Sequence, residues 1–256
     1  MFQFVMMGRG IFANATVLCG AGFLLASISA EAAPPLKLGD ADVVPYQHWE
    51  IWSSFEYKRT LSEHQWHTPT LEVVHGLLPR TELALETAYD HDVSRDDEGS
   101  DSGLGYFSLQ PKVRIFDETD RLPAIAAFCK IEVPLDDDGF DWSGREWALA
   151  LAAEKHFGKH LLVAHARCFL DADGDPFKWR YGANWSHACG DRLKLLTELY
   201  AENHLDSSSD ELNFRLGCKY RVTDNCKVYA AAGRSLLTAR DNRPSFECVT
   251  GLMFEF

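Results

Sequence analysis

Beyond residue 32 the chain has no stretch near the roughly 18 consecutive apolar residues that a membrane-crossing helix needs. Any passage through a bilayer would therefore be made by strands closed into a barrel. Basic residues are scarce: 25 Lys and Arg against 38 Asp and Glu leave a formal net charge of −13. That balance argues against nucleic acid as a partner and against docking on an anionic surface. No CxxC pair and no zinc-type His/Cys spacing occurs, so neither a metal nor another cofactor is expected.

What is present begins with an address. Arg9 is followed by the mostly apolar run Ile11 to Leu25 and by Ala30-Glu31-Ala32, a small-x-small cleavage site. These are the parts of a secretory signal peptide over residues 1–32. Charge and proline follow at once, which disfavours a membrane-anchoring helix. Thr16, Val17 and Leu18 before Cys19 lack the order that lipidation requires. Cys129, Cys168, Cys189, Cys218, Cys226 and Cys248 remain after cleavage. An exported chain with an even count permits disulfides, and Cys218 and Cys226 flank one predicted tight turn. Cys129, Cys218 and Cys248 fall on apolar faces, however, where a thiol packs as a small hydrophobe, and this favours packing over bonding.

Residues 33–47, with Pro34, Pro35 and Pro45, read as a tether or plug. Twelve alternating segments follow over residues 48–256. The last is the clearest: Phe246, Cys248, Thr250, Leu252, Phe254 and Phe256 face one way, and Glu247, Val249, Gly251, Met253 and Glu255 the other. A period of two marks a strand with different solvents on its two faces. Trp49 to Leu61 sets Ile51, Phe55 and Tyr57 against Glu50, Ser54, Glu56 and Lys58. The next four segments oppose Leu71, Leu85, Leu109 and Ile131 to the inward charges Glu72, Glu82, Glu86, Lys112, Arg114, Lys130 and Glu132. A segment around Trp147, Leu149 and Leu151 is ambiguous, because its Ala/Leu/Glu content also suits a helix. His160 to Asp171 is the weakest, with His165 and Arg167 inward. Phe177, Trp179 and Tyr181 then oppose Lys178 and Arg180. Leu195 and Leu199 oppose Lys194 and Glu198, and Phe214 and Leu216 oppose Arg215 and Lys219. Cys226 to Leu236 is Ala/Gly-rich and only moderately patterned. Segments of ten to twelve residues, at about 3.3 Å rise and a tilt near 40–45°, cross an apolar band of roughly 25 Å.

The connections alternate in length. Ser62–Pro69, Asp90–Ser102, Asp136–Arg145, Asn203–Asp210 and Leu237–Pro244 are long, and Ala172–Pro176 is medium. Leu78–Arg80, Asp117–Asp120, Gly158–Lys159, Gly190–Asp191 and Thr223–Asn225 are short. Up-and-down outer-membrane barrels segregate tight turns and long loops in this way. A soluble sandwich does not need to.

Gly105 to Arg114, followed by Asp117-Glu118-Thr119-Asp120-Arg121-Leu122-Pro123-Ala124, resembles the strand–turn–strand of a bacterial outer-membrane family. Its members are described as transporters or as "MetA-pathway of phenol degradation" proteins. Lys130-Ile131-Glu132-Val133-Pro134 and Leu216 to Asn225 resemble later stretches of the same family. The resemblance implies a twelve-stranded barrel and a role in uptake of hydrophobic or aromatic compounds. It implies no catalytic residues, and six mature cysteines depart from the family.

Few residues suggest chemistry. Asp171-x-Asp173-x-Asp175 opens like a calcium loop, but Pro176 and Gly182 stand where glycine and a carboxylate are needed, so it reads as an acidic hairpin tip. Asp96-Asp97-Glu98 with Asp101, and Asp136-Asp137-Asp138 with Asp141, are acidic loops that plain solvation explains; cation bridges to lipopolysaccharide are the alternative. Ser186 and His187 are adjacent on a strand and so point to opposite faces, which excludes a direct nucleophile–base pair. His64 and His67, beside Trp66, read as loop residues of an aromatic rim. Thirteen of the inward charges, Glu72, Glu82, Glu86, Lys112, Arg114, Lys130, Glu132, Lys178, Arg180, Lys194, Glu198, Arg215 and Lys219, form the expected pore-lining set, and their mixed signs favour pairing, with any pore narrow.

The expected fold is therefore an all-β, antiparallel up-and-down transmembrane barrel of about twelve strands in the bacterial outer membrane. The expected function is a narrow channel or passive transporter for small molecules, hydrophobic or aromatic ones among them, and not an enzyme. Its partners would be outer-membrane lipid, lipopolysaccharide, the solute and, through the C-terminal strand, the barrel-assembly machinery. A lipid-modifying barrel enzyme and a soluble β-sandwich or lipocalin-like binder are the alternatives.

Overall fold

The computed structural model describes residues 35–61, 63–94, 100–136, 139–205, 210–237 and 244–256. The signal-peptide reading, Asp96 to Glu98, Asp137 and Asp138 lie outside them. Among the described residues there are thirteen strands and no helix. They are β1 (Trp49–Arg59), β2 (Glu63–Leu78), β3 (Thr81–Ser94), β4 (Ser100–Phe116), β5 (Ala124–Asp136), β6 (Gly139–Phe140), β7 (Glu146–Phe157), β8 (His160–Leu170), β9 (Pro176–Ala188), β10 (Leu193–His204), β11 (Glu211–Thr223), β12 (Cys226–Ser235) and β13 (Phe246–Glu255). Every strand but β6 pairs antiparallel with both neighbours, and β13 returns to β1, closing a twelve-stranded barrel. β6 is a two-residue arm on the end of β5. The seam is sealed at its end by reciprocal bonds between Trp49 and Phe256, 3.1 and 3.0 Å. A closed barrel leaves no edge strand with unpaired backbone groups.

The side-chain alternation sets the barrel's polarity. Leu85 and Leu149 on the outside are 39% and 53% exposed, while Lys112 and Glu198 inside are 6% and 0% exposed. This is the reverse of a soluble protein, in which large apolar side chains gather inside. The segment around Leu149 is strand β7, not helix: its apolar residues repeat every second position, and pairing with β5 and β8 outweighs its helix propensity.

Four connections are corrected. Residues 63–69 are not a loop but the first part of β2, so His64, Trp66 and His67 stand on a strand, with the tilted rings of Trp66 and Tyr57 4.3 Å apart. The register shifts between His67 and Thr70, around Pro69, which has no N–H to give the ladder. β3 and β4 likewise continue to Ser94 and from Ser100, and the 136–145 connection contains β6. The turn after β4 is longer than expected and spans residues 117–123.

The tight turns remain at one end. Gly158 of the two-residue β7–β8 turn sits at φ +61°, the left-handed geometry such hairpins need. At the opposite end, the Asp171 carboxylate accepts the backbone N–H groups of Asp173 and Asp175, 3.0 and 2.9 Å, which makes this acidic tip a self-capped turn. All six described cysteines are free thiols, Cys218 and Cys226 included.

Candidate functional site: the barrel lumen

Residues 35–48 do not hang below the barrel. From mid-lumen, where Pro35 meets Arg215, they run down through its interior to the tight-turn end, where Pro45 meets Gly76 and β1 begins, and inward side chains hold their backbone. Glu198 accepts the N–H groups of Lys37 (3.1 Å to each oxygen) and Leu38 (2.8 Å). Glu154 accepts that of Ala41 at 3.2 Å, and Glu82 that of Val44 at 2.6 Å. Arg114 donates to the Ala41 carbonyl at 2.9 Å, and Arg215 to that of Pro35 at 3.3 Å. His165 Nδ1 lies 3.0 Å from the Gly39 carbonyl. An irregular segment inside a barrel has no sheet partner, so its polar groups must find side chains.

The segment's own charges are paired as well. Asp40 meets Lys112 at 3.0 Å, Asp42 meets Arg114, and Lys37 meets Glu56 at 2.7 Å. Burial raises the Asp40 carboxyl to about 6, against the pull of Lys112. Its apolar side chains complete two small cores. Val44 joins Trp52, Val74, Tyr229 and Met253, and Ala41 joins Ala126, Phe128 and Ala152. Gly76 makes the entry possible, because a Cβ there would lie 1.9 Å from the Pro45 carbonyl oxygen.

Above and beside the segment lies a cavity of about 1000 Å³. Nine of the thirteen inward charges read from sequence line it: Glu72, Glu82, Glu86, Lys112, Arg114, Lys130, Glu132, Lys178 and Arg180. Most are paired. Lys130 bridges Glu86 (3.4 Å) and Glu132 (2.9 Å), and Tyr106 donates its hydroxyl to Glu86. Arg180 and Lys178 share Glu202, at 2.6 and 3.9 Å. The other four do not line the cavity. Glu198 is occupied by the segment, and Arg215 makes a two-pronged pair with Glu247 at 2.5 and 2.6 Å. Lys219 lies over the Trp52 ring at 4.8 Å, and Lys194 is its register partner near the tight-turn end.

Sequence reasoning missed several participants. Trp52, Tyr229 and the segment charges Lys37, Asp40 and Asp42 are not read as inward, and Glu56 and Glu247, though on the polar faces of their strands, are not among the charges expected to line a pore. Ser54 and Glu56 fix the parity of β1, and that parity also turns Trp52 inward. Nothing in the sequence alone matches each segment residue to its strand partner. Ser186 and His187 do not form a nucleophile–base pair: Ser186 is buried inside, while the half-buried His187 stacks with Trp185 at 5.9 Å on the other face.

No protein-family model and no curated protein sequence matches the chain. Solved structures do. The COG4313 outer membrane channel from Pseudomonas putida F1 superposes with a TM-score of 0.66 at 18% identity, covering 88% of this chain and 100% of that one. The NanC porin gives 0.57 at 9% identity, covering 80% and 98%, and the KdgM porin gives 0.54 at 10%, covering 80% and 99%. At these identities the likeness is one of fold.

Proposed function

We propose that the chain is an outer-membrane channel, a narrow passive transporter for small molecules. Its lumen is constricted by residues 35–48 acting as an internal plug. The observation that carries this reading is the inversion of polarity: an apolar exterior surrounds a cavity of about 1000 Å³ lined by charges. Likeness of fold to a channel and two porins supports it. In this reading residues 1–32 are a cleaved signal peptide, and the β13 end addresses the barrel-assembly machinery. The exposed apolar band meets lipid and lipopolysaccharide. Kinship with the MetA-pathway family is part of the same proposal, and so is a preference for hydrophobic or aromatic solutes.

Planar-bilayer recording of the refolded protein tests it. Discrete, small conductance steps in KCl are expected. A barrel that shifts mobility between unheated and boiled samples, and so is folded, yet never conducts, would refute the channel.

A further inference from the structure

Resting on the channel reading and going further into its lumen, we propose that Arg167 is the anchor of a binding subsite for small aromatic carboxylates. Arg167 projects from β8 into the cavity. Unlike Lys112, Lys130, Arg180 and Arg215, it has no acidic partner: among the described residues no carboxylate oxygen comes within the 4.0 Å of an ion pair. Its one hydrogen bond is a long one, 3.3 Å from Nη2 to the Gln110 amide oxygen. Nε is buried, and among the described residues neither it nor Nη1 has a hydrogen-bond partner.

A guanidinium taken out of bulk water is costly when its counter-charges stand off at longer range and none contacts it. The neighbouring cations deepen the deficit. Arg167, Arg180 and Lys178 surround the single ring of Phe169 at 5.9, 5.1 and 4.2 Å, and one carboxylate, Glu202, serves the last two. Glu72, Glu86, Glu132 and Glu146 also line the cavity, and the first three attract Arg167 across it, but none comes within ion-pair distance. A buried cation without a contact ion pair, in a lumen where most charges have one, is a local violation of the kind that function retains. A planar carboxylate fits the free fork of the guanidinium with two parallel hydrogen bonds. Half-buried Phe169 offers apolar surface beside it for a ring attached to that carboxylate, and Phe128, 5.1 Å from the guanidinium but buried against the segment, adds little more than an edge. Inorganic anions would use the charge and waste that surface.

The test is calorimetric titration of the folded, detergent-solubilised protein with benzoate, acetate and benzyl alcohol, alongside KCl conductance of the same preparations. Benzoate should bind more tightly than either of the others. Arg167→Gln should weaken benzoate on the order of tenfold or more, the scale of a lost charge-assisted bond, and Arg167→Lys should restore part of it. The Gln variant should stay folded, shifting mobility on heating as the wild type does, because it removes a desolvated charge. Equal benzoate affinity in wild type and Arg167→Gln overturns the proposal. So does benzyl alcohol or acetate binding as tightly as benzoate. Conductance keeps the two readings apart: a silent barrel that still binds benzoate through Arg167 defeats the channel and leaves the subsite standing.

Discussion

Leu151→Arg is the sharpest probe of the inverted polarity. Leu151 is 56% exposed on β7, whose twelve residues run from Glu146 to Phe157. It lies five or six positions from either end, so at about 3.3 Å rise and a tilt near 40–45° it stands roughly 12–14 Å from both rims. That is the middle of a band about 25 Å tall. An arginine there is expected to destabilise the barrel by about 2–4 kcal/mol, whereas the same change near an interface costs about 0–1 kcal/mol. Phe157, on the same strand and face and 57% exposed, supplies the control, because Phe157→Arg places the charge at the tight-turn rim. Lys155 shows that the rim accepts a cation: its ammonium reaches Glu118 at 3.1 Å and the Thr119 carbonyl. Guanidinium unfolding in lipid vesicles measures both variants. The reasoning fails if Leu151→Arg lies within about 0.5 kcal/mol of wild type, the usual size of a surface change in a water-soluble protein, or matches Phe157→Arg.

Gly76→Val should expel residues 35–48 without touching their charged partners. A Cβ at this site meets the Pro45 carbonyl at 1.9 Å, so larger conductance steps and protease cleavage before residue 45 are expected; unchanged steps would count against the plug. Docking of the segment should also depend on pH. The Asp40 carboxyl lies at about 6 when buried and near 3.9 when free. Protonation therefore favours the docked state, and docking strengthens as pH falls from about 7 towards 4. Conductance should fall over that range, with a smaller response in Asp40→Asn; conductance rising steadily on acidification contradicts the assignment. Glu247→Ala strands the buried Arg215 and should cost about 3–5 kcal/mol in vesicle unfolding; a loss below about 1 kcal/mol would show that water reaches the pair. Finally, a water-soluble maleimide should label exposed Cys189 first in vesicles, and Cys129, Cys218 and Cys248 only after unfolding, as mass spectrometry reads.

The barrel was legible because two solvents write two alternating codes on each strand. Phe214 and Leu216 against Arg215 is such a code, and it placed β11 and its faces without any structure. The code ends where the bilayer ends. Beyond the apolar band both faces of a strand meet water, so Glu63 to Pro69 carry no alternation, although ten of the β1–β2 register pairs are present and four join residues 56–59 to 64–67. Hydrogen bonding continues after the hydrophobic signal has stopped, which is why those residues read as a loop. The lumen was half legible for a related reason. Parity puts Lys112 and Glu198 inside, but pairing across a closed interior depends on curvature and on what fills it. Nothing local in Pro35 to Val44 links that stretch to Glu198 or Glu154. Arg167 was read as inward, yet it was left outside the pore-lining set because its own strand was the weakest of the twelve.

The pairing pattern carries one more consequence. Each cation that holds the segment also has a partner on the barrel wall. Lys112 meets Asp40 at 3.0 Å and Glu82 at 3.2 Å. Arg114 meets Asp42 and, at 3.6 Å, Glu154. Arg215 meets the Pro35 carbonyl at 3.3 Å and Glu247 at 2.5 Å. Removing the segment therefore leaves none of these cations without a carboxylate, and the severe cost of an orphaned buried charge does not arise. The acids Glu198 and Glu154 lose backbone donors but gain access to the water that refills the space. A barrel lacking residues 35–44 should fold, keep its heat-dependent gel mobility and lose no more than about 2–3 kcal/mol in vesicle unfolding, the scale of a few exchanged hydrogen bonds. Its conductance should rise. Failure of that variant to fold, with Gly76→Val folding normally, would mean that the segment is part of the barrel's core and not an insert within it.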